Sequence, residues 1–323
     1  MKRFKDLWNT FCAEATFYAA TYDGIKGKRR GYAMRRLLCR EIATDTAANK
    51  GAQKEYSNQV VPEKVRQYAA VMSRKVKSGE WQPHPPQRST RRMPNGKIRN
   101  IAKATFDDHI AHWALINTIK AALMRGMYAF CCGSLPGRGL KLVRQSIQKW
   151  IREPDVKYFV KLDIRKFYEN INIDLLMRQL ERVIADRPIL NLIRRILDTS
   201  GPGMPVGFYI SPWLANYHLQ GLDHYIVQGL YKTRRGKRVS FVKHYVRYMD
   251  DMLLIGSSRR DLEKAVRAII AYLRDELGLS VKETWEIKEI GELIVGSDGK
   301  RKCRAGTYPV DMGGYKFYKM RVK

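Results

Sequence analysis

Acidic residues are scarce in this sequence of 323 residues, in which 31 Asp and Glu stand against 61 Lys and Arg and leave a net charge of +30. A chain this basic, with a pI near 10.0, is expected to bind a polyanion, and nucleic acid fits best. The cations are spread along the whole chain instead of being gathered on one amphipathic helix or beside a long apolar stretch. This distribution argues against a membrane surface as the partner.

Long hydrophobic runs are missing, and cysteine is rare. Asn9, Thr10 and Glu14 interrupt the apolar residues that follow the basic start, and no uncharged segment reaches the length that spans a bilayer. The 5 cysteines form no CxxC pair, and none lies near a histidine at metal-ligand spacing. We therefore expect a cytoplasmic protein without membrane contacts, whose cysteines are reduced and structural.

Hydrophobic periodicity and turn residues divide the chain into three regions. Residues 1–155 are basic and mostly helical in pattern, residues 156–290 alternate strands with helices, and residues 291–323 contain short basic strands. In the first region, AsnGly at positions 95–96 predicts a hairpin, and residues 105–125 have the pattern of a helix. The hairpin would carry two cations, Lys97 and Arg99.

Aspartates lie at the ends of predicted strands in the central region. Residues 158–163 alternate and end at Asp163, and residues 244–248 and 252–256 form two short apolar strands around MetAspAsp. Between and after these strands the sequence predicts a helix capped by Asn172, a flexible turn at 201–207, a helix near Ser211 and a helix from Ser258 to Gly278. This order predicts a split βαβ sheet with Asp250 and Asp251 at a hairpin tip.

Carboxylates in this arrangement suit nucleotidyl transfer. That reaction uses two divalent cations, one to activate the attacking hydroxyl and one to stabilise the triphosphate and the leaving oxygen. Mg²⁺ keeps several waters and phosphate oxygens, so Asp163, Asp250 and Asp251 suffice as protein ligands for two Mg²⁺ ions, with Mn²⁺ as an alternative. An isolated AspAsp pair is more often a solvated turn, but the flanking strands and the preceding aspartate favour the metal site here.

Three segments carry a resemblance to bacterial reverse transcriptases, which are RNA-directed DNA polymerases. Residues 159–171 resemble motif A, residues 203–216 resemble motif B, and TyrMetAspAsp at 248–251 resembles motif C. The resemblance covers roughly residues 90 to 320. It implies an α+β, right-hand polymerase with a ferredoxin-like palm, helical fingers and a minimal or absent thumb. Residues 1–155 would then be an N-terminal extension and fingers, 156–290 the palm, and 291–323 a primer-grip-like end.

The resemblance also implies roles for single residues. Asp163, Asp250 and Asp251 would be the catalytic metal ligands, and the backbone at Ile164 and Phe167 would lie near the incoming triphosphate. Tyr168 matches the aromatic residue that excludes a 2′-hydroxyl, although a core aromatic is the alternative. RNA-dependent RNA polymerases usually place a second Asp there, so DNA is the expected product.

Further nucleotide contacts are implied in motif B and in the predicted hairpin. Gly207 and Ser211 would let the backbone approach the template-pairing base. Lys97 and Arg99 resemble cations that clamp the triphosphate, with solvated hairpin charges as the alternative. Lys282 and Lys288 both stand where such polymerases place a lysine that protonates pyrophosphate, and the sequence does not choose between them.

Two other segments have alternative interpretations. Residues 136–144 suit contact with a phosphate backbone, or are simply a loop that starts a helix. Residues 313–318 resemble a primer-grip strand, or are an aromatic strand that packs on the palm.

The resemblance is strongest to diversity-generating retroelement enzymes and to phage-defence and unknown-group enzymes. Ser211-Pro212 departs from the Ser-Gln of the diversity-generating group, and the Val-Thr-Gly segment typical of retron enzymes is absent. The expected partners are an RNA template, a DNA or RNA primer, dNTPs, and a structured noncoding RNA or accessory protein that compensates for the short thumb. The alternatives are a defence polymerase that makes untemplated or protein-primed DNA, and a noncatalytic RNA-binding scaffold.

Overall fold

The computed structural model describes residues 3–25, 50–93, 96, 98–295 and 301–320. The described chain forms two compact units that are interleaved along the sequence. The first unit takes the residues up to Arg125 together with Leu176–Ser211, and the second takes Gly126–Leu175 together with the residues from Pro212 onward. Asn95 and Lys97, at the tip of the predicted hairpin, lie outside the described residues.

The helices in chain order are α1 (Leu7–Cys12), α2 (Glu14–Ile25), α3 (Lys50–Lys77), α4 (Phe106–Met124), α5 (Leu140–Trp150), α6 (Phe167–Asn170), α7 (Ile173–Glu181), α8 (Arg187–Asp198), α9 (Ser211–His218), α10 (Gln220–His224) and α11 (Arg259–Leu277). The strands are β1 (Gln87–Arg92), β2 (Ile98–Lys103), β3 (Tyr158–Asp163), β4 (Tyr231–Arg234), β5 (Lys237–Ser240), β6 (His244–Tyr248), β7 (Asp251–Gly256), β8 (Lys288–Glu289), β9 (Glu292–Val295), β10 (Arg301–Cys303), β11 (Val310–Met312), β12 (Tyr315–Phe317) and β13 (Lys319–Met320).

Helix α4 is the centre of the first unit. It begins where predicted, because the Oγ1 of Thr105 accepts a hydrogen bond from the backbone N–H of Asp108 at 3.2 Å and caps the helix. Apolar residues around most of its circumference are buried, and both α1 and α2 pack on it. The Asp108 carboxylate is buried as well and accepts a hydrogen bond from the indole of Trp81 at 3.2 Å.

Asp186 joins the start of the chain to α8. One carboxylate oxygen caps α8 by accepting from the backbone N–H of Ile189 at 3.2 Å. The other accepts from the backbone N–H groups of Leu7 and Trp8, at 2.7 Å and 3.0 Å, which are orphan donors at the start of α1. A single side chain therefore satisfies the N-termini of two helices that lie about 180 residues apart in sequence.

The four-stranded sheet of the second unit has the strand order β6-β7-β3-β8, and its neighbouring strands are antiparallel. Its connections run from β3 through helices to the β6–β7 hairpin, and then through α11 to β8. This is the predicted split βαβ arrangement. Helix α11 begins at its Ser258 cap and ends at Gly278 in the left-handed conformation, as the sequence predicted.

The remaining strands form small separate sheets. In the described part of the chain, strands β4 and β5 pair only with each other, as do β11 and β12, while β9 lies between β10 and β13. No helix among the described residues is both long and apolar enough to cross a membrane.

Candidate active site

The candidate site is built on the pairing of β3 with β7. Asp163, the last residue of β3, lies directly opposite Asp251, the first residue of β7. The pairing of Tyr248 with Asp251 closes the β6–β7 hairpin, so Met249 and Asp250 form a two-residue turn in which Met249 has a φ of 57°. The sequence predicted both carboxylates at the tip, but only Asp250 lies in the turn, because pairing with Tyr248 and Asp163 extends β7 by one residue.

The three carboxylates repel one another in a partly dry environment. Burial raises the pKa of Asp250, and the charges of Asp163 and Asp251 raise it further. Burial also raises the pKa of Asp251, while the Lys161 ammonium, 3.9 Å away, acts in the opposite direction. The site thus holds Asp250 and Asp251 where burial opposes their ionisation, and a nearby cation would oppose this effect.

Lys282 is the lysine that reaches this site. Its Nζ lies 2.7 Å from Oδ2 of Asp163, and its backbone N–H donates to the Asp163 carbonyl oxygen at 2.9 Å. The other candidate, Lys288, instead contacts the ring of Tyr308 at 4.9 Å and the carboxylate of Glu286 at 3.4 Å. The structure therefore distinguishes two lysines that the sequence left equivalent.

The donor set fits divalent cations. Oδ1 of Asp163 is buried and has no hydrogen-bond partner among the described residues, which is costly unless a ligand supplies one. The described part of the chain contains no group of three or more His, Cys, Asp or Glu side chains already closed around a metal position. Mg²⁺ does not require such a cage, since waters and substrate phosphates complete its coordination.

A fully buried ion pair lies next to the turn formed by Met249 and Asp250. The Arg247 guanidinium donates to both oxygens of the Asp223 carboxylate, at 2.8 Å and 2.6 Å, and both side chains are 0% exposed. Burial acts to lower the pKa of Arg247, but the charge of Asp223 more than offsets this effect, so the net pKa is raised and the guanidinium stays charged. The hydroxyl of Tyr245 also donates to Asp223, at 2.8 Å.

The same guanidinium holds the backbone of the turn. Its Nη1 donates to the carbonyl oxygen of Met249 and to the side-chain oxygen of Asn216, both at 2.9 Å. Asn216 in turn donates to the Gly133 carbonyl oxygen at 2.7 Å. A Cβ on Gly133 would lie 2.6 Å from the backbone nitrogen of Met249, so only glycine fits there. Arg247, Asp223 and Gly133 were missed from the sequence, where charged residues are ordinarily expected on the surface.

The residues predicted to lie near the triphosphate follow β3. Ile164 is buried and forms an isolated bridge with Val281, which extends the edge of the sheet beyond Asp163. Phe167 is also buried, whereas Tyr168 is half-buried and meets the Phe167 ring edge-on at 5.7 Å. Tyr168 is therefore partly accessible just after β3, and its role in sugar selection stays a prediction.

The other predicted nucleotide contacts belong to the first unit. Arg99 is exposed on β2. Gly207 has a φ of +117°, and a Cβ there would lie 2.6 Å from the carbonyl oxygen of Ala102, so this glycine allows the 201–210 segment to pack on β2. Ser211 is buried, and its hydroxyl donates to the Pro205 carbonyl oxygen at 2.6 Å, which stabilises the preceding turn.

The two segments with alternative interpretations also have defined positions. Arg138 donates to the carbonyl oxygens of Tyr128 and Cys131, so its guanidinium closes a loop just before α5. In the 313–318 segment, Phe317 is buried in the core of the second unit, while Tyr315 is 43% exposed. The strand therefore packs on its unit and still presents one aromatic side chain.

Comparisons with known proteins agree with this geometry. Protein YkfC of Escherichia coli strain K12 is 21% identical over 231 residues, which cover 61% of this chain and 61% of that protein. The Retron Ec73 reverse transcriptase of Escherichia coli is 24% identical over 210 residues, with 62% of each chain covered. The chain thus spans about three fifths of the length of these curated relatives.

A solved structure and a family model complete the comparison. The structure of apo telomerase from Candida tropicalis matches with a TM-score of 0.51 at 11% identity, covering 73% of this chain and 47% of that chain. At this identity the likeness shows the fold alone, and it confirms the predicted fold class of an α+β right-hand polymerase. The model of the family "Reverse transcriptase (RNA-dependent DNA polymerase)" matches residues 85–284. This match covers more than half of the chain, which therefore belongs to the reverse transcriptase family.

Proposed function

We propose that the chain catalyses RNA-directed DNA synthesis, adding dNTPs to a DNA or RNA primer on an RNA template by two-metal nucleotidyl transfer. The observation that carries the proposal is the pairing of Asp163 with Asp251 across two hydrogen-bonded strands, with Asp250 in the adjoining turn. Membership of the reverse transcriptase family supports the type of reaction.

We assign two Mg²⁺ ions, with Mn²⁺ as the alternative, to Asp163, Asp250 and Asp251. When bound, these ions would lower the pKa of the primer hydroxyl and neutralise charge on the triphosphate. The buried oxygen of Asp163 and the raised pKa of both Asp250 and Asp251 support this assignment, because each is relieved by a nearby cation. The paired strands hold the carboxylates in place before substrate arrives, which reduces the reorganisation that the reaction requires.

Lys282 is assigned to the leaving group. Its Nζ lies 2.7 Å from Oδ2 of the Asp163 carboxylate, so its ammonium would lie beside a triphosphate bound through cations at these carboxylates. In this role it would donate that proton to pyrophosphate as the bond to the α-phosphate breaks. Before substrate binds, the same ammonium offsets one of the clustered negative charges.

Nucleotide selection is assigned to groups around the site. Tyr168 would lie below the sugar and exclude a 2′-hydroxyl, next to triphosphate contacts from the backbone at Ile164 and Phe167. Lys97 and Arg99 would bind the triphosphate, a role supported for Arg99 by its exposure. Gly207 and Ser211 would shape the surface under the template-pairing base.

We also propose a cellular setting and partners for this activity. A retroelement or antiphage defence system in the bacterial cytoplasm would supply the template, and the relatives include a retron reverse transcriptase. The four described cysteines are free thiols, as expected for a reducing compartment. A structured noncoding RNA or an accessory protein would add to the grip on the primer–template duplex, consistent with the net charge of +30.

Primer extension on an RNA template, with labelled dNTPs and Mg²⁺, tests the proposal. We expect template-complementary DNA from the unaltered chain and a loss of more than about 100-fold in Asp250→Asn, since a bound metal contributes several kcal/mol to transition-state stabilisation. Asp275→Asn is the matched control, because Asp275 is exposed on α11 and pairs with the adjacent Arg274. Its activity should remain unchanged.

Sequencing the product separates the alternatives. Metal-dependent DNA unrelated to the template would contradict templated copying and favour the untemplated or protein-primed reaction. Tight RNA binding without any product would favour the noncatalytic scaffold. An Asp250→Asn protein with full activity would refute the site assignment.

A further inference from the structure

The second unit contains a basic hairpin that is not part of the four-stranded sheet. It consists of Tyr231–Ser240, in which β4 and β5 pair with each other and with no other described strand. The sequence TyrLysThrArgArgGlyLysArgValSer contains five cations and no acidic residue. Every residue of the hairpin is exposed except Lys232, which is partly buried. We refer to this segment as the basic hairpin.

The free cations of the basic hairpin lie at its tip. Arg234 and Lys237 pair across the strands next to the turn formed by Arg235 and Gly236. Among the described residues, no carboxylate forms an ion pair with Arg234, Arg235 or Lys237. Three uncompensated charges at neighbouring positions repel one another, and a bound anion would relieve this repulsion.

Arg235 occupies a turn position at which other residue types are conformationally favoured. Arg235 has a φ of 49° and Gly236 a φ of 74°, which is the pattern of a type I′ turn with positive φ at both central residues. Asn or Asp is favoured at the first of these positions, whereas a long side chain in the left-handed region is conformationally unfavourable. The turn therefore presents a cation at some cost to local stability, as expected of a functional residue.

The base of the basic hairpin is fixed. The Nζ of Lys232 lies 2.5 Å from Oδ2 of Asp261, whose side chain is 13% exposed in the first turn of α11. Across the strand pair, the Arg238 guanidinium lies over the Tyr231 ring at 4.4 Å. The backbone N–H of Phe241 donates to the Leu230 carbonyl oxygen at 2.9 Å and closes the ladder. A fixed base holds the charged tip in one orientation, so its cations form a surface with a defined geometry.

The basic hairpin stands away from the catalytic turn. It leads into β6 at His244, while the turn with Asp250 follows the other end of β6 at Tyr248. Five residues of strand place these two ends about 14 Å apart. The base of the basic hairpin, where Lys232 pairs with Asp261, therefore lies at the end of β6 opposite the turn with Asp250.

We propose that the basic hairpin binds the phosphodiester backbone of double-stranded or structured nucleic acid, at a point remote from the reacting primer end. Arginine side chains form paired hydrogen bonds to phosphate, and contacts of this kind do not depend on base sequence. An exposed ribbon with cations at its tip fits the backbone on either side of a groove. An anionic membrane is a weaker match, since the hairpin lacks a broad apolar face. This binding does not depend on catalysis.

The test is equilibrium binding of the full chain to a fluorescent RNA stem-loop, a DNA duplex of equal length, and vesicles containing phosphatidylserine. The charge-removal variant combines Arg234→Gln, Arg235→Asn and Lys237→Gln, of which the second creates the preferred AsnGly turn. The matched control combines Lys149→Gln, Arg152→Gln and Lys157→Gln, which removes the same formal charge from exposed positions elsewhere in the unit. Affinity is measured against salt concentration for each protein.

We expect the slope of log affinity against log salt to become shallower by about 2 to 3 in the charge-removal variant, because each phosphate contact contributes about 1. The control should retain the original slope. If the triple variant does not fold, the single variant Arg234→Gln should lose about 1 from the slope. A larger change on the RNA stem-loop would identify RNA as the source of the backbone, and a larger change on the duplex would identify DNA.

An unchanged slope in the charge-removal variant, or an equal loss of slope in the control, would overturn the proposal. It would also be overturned if the charge-removal substitutions weakened vesicle binding more than nucleic-acid binding. Binding measured in an Asp250→Asn background separates this result from the proposed catalysis. Primer extension on a short template at saturating substrate should be unaffected by the charge-removal variant.

Discussion

The buried Arg247–Asp223 pair gives the sharpest prediction about stability. Arg247→Met removes the guanidinium but leaves Asp223 as a carboxylate with 0% exposure, to which only the Tyr245 hydroxyl still donates among the described residues. Breaking a buried pair in this way costs about 3–5 kcal/mol, a large share of the roughly 5–15 kcal/mol that stabilises a typical domain. Urea unfolding followed by circular dichroism should show this loss as a lower midpoint with a similar m-value.

A double variant tests whether the cause is the unpaired charge. Adding Asp223→Leu to Arg247→Met removes both charges, so we expect at least about 2 kcal/mol of the lost stability to return. The control Arg267→Met breaks an exposed pair with Glu263 and should change stability by less than about 0.5 kcal/mol. If the double variant were as unstable as the sum of its two single variants, the reasoning from buried charge would be refuted.

The double variant should still have a reduced catalytic rate, even though its stability is partly restored. In the double variant the carbonyl oxygen of Met249 loses the donor that Arg247 provides at 2.9 Å, so the turn that carries Asp250 is no longer fixed. A displacement of about 1 Å at a catalytic group reduces rates by up to about 100-fold, and we expect kcat to fall by this order while KM for dNTP changes little. Recovery of stability together with full kcat would show that the pair serves the fold alone.

Three further predictions concern other parts of the chain. Burial lowers the pKa of His112 to about 3. Below pH 6.5 the unfolded state therefore binds a proton at this histidine, whereas the folded state does not. Stability should fall by about 2 kcal/mol between pH 7 and pH 5, and His112→Phe should reduce that loss in urea titrations. Gly207→Ala should lower stability by about 1–3 kcal/mol because its Cβ would meet the Ala102 carbonyl oxygen at 2.6 Å, whereas Gly201→Ala, whose Cβ would meet only Arg88 at 3.9 Å, should lose less on thermal unfolding. Tyr168→Ala should raise the kcat/KM for rNTP relative to dNTP in primer extension, and an unchanged ratio would contradict its assignment to sugar selection.

Local signals in the sequence were enough to predict β3, β6, β7 and α11 of the second unit. The alternating residues of β3, the apolar residues of β6 and β7, and the caps of α11 all appear where predicted, because each depends on neighbours in sequence. The order of these elements then limited the topology of the sheet. The three aspartates could be identified together because their spacing relative to strands resembles a known family.

Long-range pairings could not be read from the sequence. Asp223 and Arg247 look like ordinary surface charges, and their burial depends on two segments meeting in the folded unit. Tyr245 and Arg247 alternate on one face of a buried strand, a signal that the arginine required a buried partner. The basic hairpin was missed for another reason: its turn uses ArgGly instead of the AsnGly pair that predicts such turns.

Asp186 also constrains the order in which the chain can fold. Asp186, which accepts hydrogen bonds from the N-terminus of α1, is synthesised about 180 positions after that helix. The N-terminus of α1 therefore lacks this partner until the α8 segment leaves the ribosome. The first unit likewise cannot close around α4 before residues 176–211 are available, and the intervening stretch 126–175 belongs to the other unit. Interleaving of this kind raises the contact order and slows folding. A cut between Arg125 and Gly126 would divide the first unit between two fragments, so this unit should acquire its structure only after the fragments recombine, whereas all residues of the second unit stay on one fragment.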